Sequence, residues 1–95
     1  MGKWNGLAFE WDEEKARLNY RKHHVRFETA AHVFEDKNRI ERYDNKHSDE
    51  EERYQVIGKV GATLLLVIYT ERGERIRLIS ARKADPDDRR EYLLL

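Results

Sequence analysis

The chain has 95 residues and no cysteine. A chain this short builds one core and buries roughly 60–65% of its unfolded surface, and without thiols it has no disulfide scaffold, thiolate nucleophile or cysteine zinc site. Nineteen basic residues balance nineteen acidic ones, which excludes bulk attraction to nucleic acid or to an anionic membrane and leaves any such binding to local patches. Charged residues make up 40% of the chain, but their mixed sign and the 11% aromatic content argue for a folded domain with a charged surface, not for disorder.

Phe9-Glu10-Trp11 alternates apolar and polar and reads as a short edge strand. Asp12 is a fitting N-cap for a first helix over about 12–23, with Glu13 and Glu14 in its first turn and Arg21, Lys22 and His23 in its last, the order the helix dipole favours. Its apolar face is thin, with Ala16 and Tyr20 in line and Leu18 to one side. Phe27, Ala30, Ala31 and Phe34 form the clearest helical stripe and place a second helix on the core. Strand-like alternation follows at 39–43 and 53–59, separated by a polar loop from Asp44 to Glu52. Gly58 and Gly61 mark a turn before Thr63–Thr70, apolar on both faces and expected as a central strand. After a loop at Glu71–Glu74, Arg75–Arg82 sets Ile76, Leu78 and Ser80 against Arg75, Arg77 and Ile79. Asp85-Pro86-Asp87-Asp88 then opens a third helix over about 86–94.

These elements predict a single α+β domain, an antiparallel meander with two N-terminal helices and one C-terminal helix and no βαβ crossover. The longest apolar run, Ala62–Tyr69, is too short to span a bilayer, and no signal peptide is evident, so a cytoplasmic protein is expected.

From Lys15 to Arg26 the chain carries five lysines or arginines, two histidines and no acid. Cations beside an imidazole suit phosphodiester chemistry, which needs a grip on phosphate and a group that moves protons. The same groups also suit a solvated helix end. A second cluster, Arg72, Arg75, Arg77 and Arg82, lies on the last hairpin, with Arg75 and Arg77 about 7 Å apart on one sheet face. Tyr43, Tyr54 and Tyr69 are either stacking partners for bases or ordinary strand tyrosines. His23, His24, His32 and His47 include no pair at H-x3-H spacing, so neither a metal site nor a cofactor is expected.

The pattern Phe9-x-Trp11-Asp12-x-x-Lys15-x-x-x-Asn19-x-x-Lys22-His23-x-Val25-x-Phe27-x-x-Ala30, followed by Tyr69-Thr70-x-Arg72-Gly73 and by Arg77-x-Ile79-Ser80-Ala81-Arg82-Lys83-Ala84, resembles the BrnT family of type II toxins over about residues 8–92. The resemblance implies a RelE-like ribonuclease fold and a toxin that cleaves RNA and blocks translation. It also implies a BrnA-type ribbon-helix-helix antitoxin through which the complex binds its promoter DNA. Two departures stand out. The family usually carries glycine after Lys-His, where a helix end wants φ > 0; His24 stands there and must take a left-handed conformation. Asp88 stands where glutamate is frequent, and Tyr92 falls at the family's tyrosine.

RNA cleaves itself once its 2′-OH is deprotonated, so a small nuclease needs a base, an acid and cations, and no metal. Arg72, Arg77 and Arg82 are expected to bind the scissile phosphate and Lys22 and His23 to supply cationic contact and proton transfer, with Glu71 as an alternative base. Lys15, Arg53, Tyr54, Tyr69 and Arg75 are expected to hold the rest of the RNA. The alternative is a non-catalytic module that binds RNA or protein through the same face.

Overall fold

Residues 3–4, 7–47 and 51–94 are described by the computed structural model of the chain. The order is β1 (Lys3–Trp4), β2 (Leu7–Glu10), α1 (Glu13–His23), α2 (Phe27–Ala30), β3 (Ile40–Tyr43), β4 (Tyr54–Val60), β5 (Thr63–Arg72), β6 (Arg75–Lys83) and α3 (Pro86–Leu93). A 3₁₀ turn over Ala31–Glu35 continues α2, and another covers Asn45–His47. Among the described residues no helix is long and apolar enough to cross a membrane.

α1 and α3 start where side chains satisfy the first free N–H groups, whereas α2 has no side-chain cap. The Asp12 carboxylate accepts from the backbone N–H of Glu14 at 2.8 Å and of Lys15 at 3.4 Å. Asp85 and Asp88 form a reciprocal capping box around Pro86. The strands end in two tight hairpins. Val60 pairs with Thr63 and Arg72 with Arg75, leaving Gly61-Ala62 and Gly73-Glu74 as two-residue turns whose first residue is glycine at φ 61°. The last loop is therefore shorter than the composition of 71–74 suggests, and both flanking strands run farther.

The sheet order is β1-β2-β6-β5-β4-β3. β3 to β6 form the expected antiparallel meander. The N-terminal strand departs from the all-antiparallel expectation: β2 runs parallel to β6, with Ala8, Phe9 and Glu10 opposite Arg75, Ile76 and Arg77. Nor is β2 the edge, since β1 pairs antiparallel with it outside. The sheet is thus mixed and mostly antiparallel. No local pattern announces the parallel pair, because most of the chain separates its two strands.

The two sheet faces carry separate cores. α2 and its 3₁₀ extension cover one face, where Phe27, Ala30, Ala31 and Phe34 join Phe9, Val56, Leu65, Val67, Tyr69, Leu78 and Ala81, as the helical stripe predicts. Gly58 makes room for this layer, because a Cβ there would stand 3.0 Å from the Val33 carbonyl oxygen. α3 covers one end of the opposite face, setting Tyr92 against Ile57, Leu64 and Leu66. The Tyr92 hydroxyl donates to Asp36 at 2.6 Å, which raises the phenol to about 12. Burial pushes the Asp36 carboxyl up, but hydrogen bonds from Tyr92 and the backbone N–H groups of Lys59 and Asn38 hold it below its ordinary value.

Register settles which β6 side chains share a face. Ser80 pairs with Ile68 and Leu78 with Tyr69, so Ile79 is an extra residue in a bulge. Simple alternation would put Arg82 on the face opposite Arg75 and Arg77. The bulge returns it to theirs, since Arg75, Arg77 and Arg82 pair with Arg72, Thr70 and Leu66, which share one face of β5 with Ile68 between the last two.

Candidate active site

The arginines line the sheet face left open by α3, and carboxylates bridge them in pairs. Glu10 of β2 stands 2.8 Å from Arg77 and 3.7 Å from Arg75. Asp88 of α3, buried, accepts from Arg82 at 3.0 Å and Arg42 at 3.2 Å. Glu51 lies 3.3 Å from Arg72 and 3.8 Å from Arg53. Arg42 is further fixed by Gln55 at 2.6 Å and by Glu91, and Arg82 by Asp85 at 3.7 Å. The row is thus preorganised, and its charge is largely compensated within the protein.

Preorganised guanidiniums still have donors to give. Arg77 engages Glu10 through Nη1, and its Nε and Nη2 have no hydrogen-bond partner among the described residues. Four residues of β5 separate the partners of Arg77 and Arg82, about 13 Å, and six separate Arg72 itself from the partner of Arg82, about 20 Å. Arg72 and Arg82 therefore stand too far apart to grip a single phosphate together with Arg77, against the expectation from the sequence.

Lys22 and His23 end α1, and Asn19 brings that end to the sheet. β2 stops opposite Arg77, leaving the β6 edge beyond it without a strand. Buried Asn19 takes the strand's place there: its Oδ1 accepts the Ala81 N–H at 3.1 Å, and its Nδ2 donates to the Ala81 and Val25 carbonyls at 2.9 and 3.0 Å. His23 is half-buried beside Lys22 and Arg82. Burial, then the charges of Lys22 and Arg82, lower its pKa from the ordinary 6.5, so the imidazole is neutral and able to accept a proton at pH 7. Exposed Lys22 has no carboxylate partner among the described residues.

Other expected site residues lie elsewhere. Glu71 pairs with Ile76 and projects from the face opposite the arginines, so it is no base for a phosphate held there. Tyr69 is in the core, 4% exposed, with its hydroxyl donating to Glu41 at 2.8 Å. Burial, then that hydrogen bond, raises its pKa. Tyr54 and Tyr43 stack outward from Tyr69 on the same face, at 5.6 and 5.8 Å between successive rings, away from the arginine row. Tyr69 therefore cannot stack a base, and Tyr54 serves the tyrosine layer. Lys15 stands about 10 Å back along α1 from Lys22, while Arg53 joins the row through Glu51. Glu10, Arg42 and Asp88 complete the site and were not singled out from the sequence. The alternation at Phe9-Glu10-Trp11 would have found Glu10 only had its strand partner been known.

His24 takes the left-handed conformation expected of it, at φ 59° and ψ 29°, and is the one non-glycine residue with positive φ among those described. Its N–H closes the helix on the Tyr20 carbonyl at 2.8 Å. His24→Gly is expected to stabilise the protein by about 1 kcal/mol, less what the ring contact with Tyr20 contributes. Chemical denaturation midpoints compared at one pH check this.

Among the described residues, no group of three or more histidines, aspartates or glutamates is placed to hold a metal ion. A search among curated proteins yields no match. The family model described as the ribonuclease toxin BrnT of type II toxin-antitoxin systems matches residues 11–88, which include Lys22, His23, the whole arginine hairpin and Asp88. With most of its length matched, the chain belongs to the BrnT family of ribonuclease toxins.

Proposed function

We propose that this toxin cleaves RNA without a metal ion, by attack of a 2′-OH on the adjacent phosphorus, and so arrests translation and growth. The observation that carries the reading is the half-buried His23 imidazole brought to one sheet edge beside Arg82 and Lys22. His23 takes the 2′-OH proton as the 2′-oxygen bonds to phosphorus; the P–O5′ bond breaks, leaving a 2′,3′-cyclic phosphate, and the departing 5′-oxygen takes its proton from the Lys22 ammonium, which solvent restores. Arg82 and Lys22 compensate the charge that builds on the phosphate oxygens, and Arg77, oriented by Glu10, holds the next phosphate along the row. Arg72, Arg75 and Arg53 carry the strand onward. A BrnA-type ribbon-helix-helix antitoxin covers this face in the cytoplasm, where the complex binds its promoter DNA.

Expression of the chain alone is expected to arrest growth with decay of total RNA, and a Lys22→Ala/Arg77→Ala/Arg82→Ala control to abolish both. In vitro, cleavage should persist in EDTA and leave 2′,3′-cyclic phosphate ends. Intact RNA after incubation with folded protein would defeat the reading. The internal pairing of the arginines favours one second reading, a module that binds RNA or its partner without turnover; such a module would protect RNA.

The pH dependence follows from the sign of the His23 shift. Because its folded pKa lies below 6.5, the base form persists below that value, and kcat/KM should hold its plateau to a lower pH than an ordinary histidine allows. The same shift favours the folded state above pH 6.5, and that contribution is lost as pH falls through the folded pKa. A kcat/KM profile over about pH 5–8, with unfolding midpoints measured alongside, tests both.

A further inference from the structure

We infer that the cleft on the far side of the β6 edge, between the α1–α2 turn and the start of β5, is a second nucleotide subsite. It would take the base and phosphate that flank the cleavage point. The inference rests on the RNA-cleaving reading above and deepens it. The cleft has a volume of about 320 Å³, at the small end of ligand sites, and is lined by Tyr20, His24, Arg26, Thr29, Thr63 and Lys83 among others, with no carboxylate in its wall.

Three features set it apart from the arginine row. First, its cations are uncompensated: Arg26 and Lys83 make no ion pair with any described residue, whereas every arginine of the row does. Second, it offers surfaces on which a base stacks. Tyr20 is 39% exposed, the Arg26 guanidinium carbon lies 4.4 Å from its ring centre, and the His24 ring stands nearly perpendicular to it at 5.8 Å. Third, the left-handed backbone that carries the His24 ring there is strained for any side chain, and this chain keeps an imidazole where glycine would relieve it.

Position links the cleft to the candidate active site. His24 and Lys83 each follow a member of that site, His23 and Arg82: Lys83 points to the opposite sheet face by strand alternation, and the left-handed turn at the end of α1 carries His24 to the same cleft. A strand leaving Arg82 crosses the edge at His23 and meets Lys83 and Arg26 on the other side. Beyond Tyr20 and Arg26 the surface is of mixed charge, with Glu13, Glu14 and Glu28 set among Arg17 and Arg21, and no longer offers a run of cations without carboxylates.

The test is titration of an uncleavable 2′-O-methyl RNA pentanucleotide into isotope-labelled protein. Amide shifts are expected at His24, Arg26, Thr29 and Lys83 together with those at His23 and Arg82. Arg26→Ala/Lys83→Ala should weaken binding about tenfold or more and flatten the salt dependence by about 1.4 in log–log slope, the loss of two phosphate contacts to a single strand. Both side chains are exposed, so the variant keeps its fold. Shifts confined to the His23 and Arg82 side, with Arg26→Ala/Lys83→Ala binding like the parent, would overturn the subsite and leave the ribonuclease reading standing. An oligonucleotide that binds nowhere on the protein would remove both.

Discussion

Arg82→Ala is expected to reduce RNA cleavage about 10²–10³-fold, the usual loss when one preorganised donor to a developing oxyanion is removed. Arg82 lies closest in argument to the chemistry because its charge reaches the His23 imidazole and its fork is held by Asp88 and Asp85. The loss should appear in the single-turnover rate at saturating RNA, with a smaller change in Kd. Arg82→Lys retains charge but not the fork, and should recover part of the rate. Asp88 keeps Arg42 and the Asp85 N–H when Arg82 is gone, so the fold survives the substitution. A single-turnover rate within a few fold of the parent would take Arg82 out of the mechanism.

Asn19→Ala is expected to destabilise the protein by about 3 kcal/mol. The side chain makes three hydrogen bonds at a buried position, and its loss strands both polar groups of Ala81 and the Val25 carbonyl without water to replace it. For a domain of this size that is a fall in Tm of about 12–25 °C. Asn19→Asp keeps the acceptor and loses both donors, and should fall between. Because Asn19 pins the end of α1 to β6, activity should fall below what the unfolded fraction explains, through displacement of Lys22 and His23. Lys22→Ala, exposed and unpaired, should leave the unfolding free energy within about 0.5 kcal/mol of the parent. Equal Tm values for Asn19→Ala and the parent would mean that the edge of β6 needs no cap.

The helices and hairpins were legible because their signals are local. Asp12 and Asp85 cap within three residues of themselves, Gly61 and Gly73 set their own turns, and the Phe27–Phe34 stripe has the helical period whatever it packs on. The left-handed His24 was equally legible, since the resemblance placed glycine there and a helix end dictates the conformation. The candidate site was only half legible. His23 lies beside Lys22 and Arg82 and Arg77 shares their sheet face, but Glu71 faces the other way and Tyr69 is core, because strand alternation sorts side chains into two sets without naming the face each occupies.

What the sequence by itself determined is therefore the main helices and strands from the strand at Phe9 onward, the α+β class and the family, each written in spacings of a few residues or in the motif, while β1 went unread. Only the tertiary structure decided the parallel docking of β2 on β6, the bulge at Ile79, the seat of Asn19 against Ala81 and the sharing of Asp88 by Arg42 and Arg82. Each of these joins residues remote in sequence or turns on a register. The free energy of such pairings depends on which backbone groups and charges remain unsatisfied once the core has formed, and that is a property of the assembled sheet.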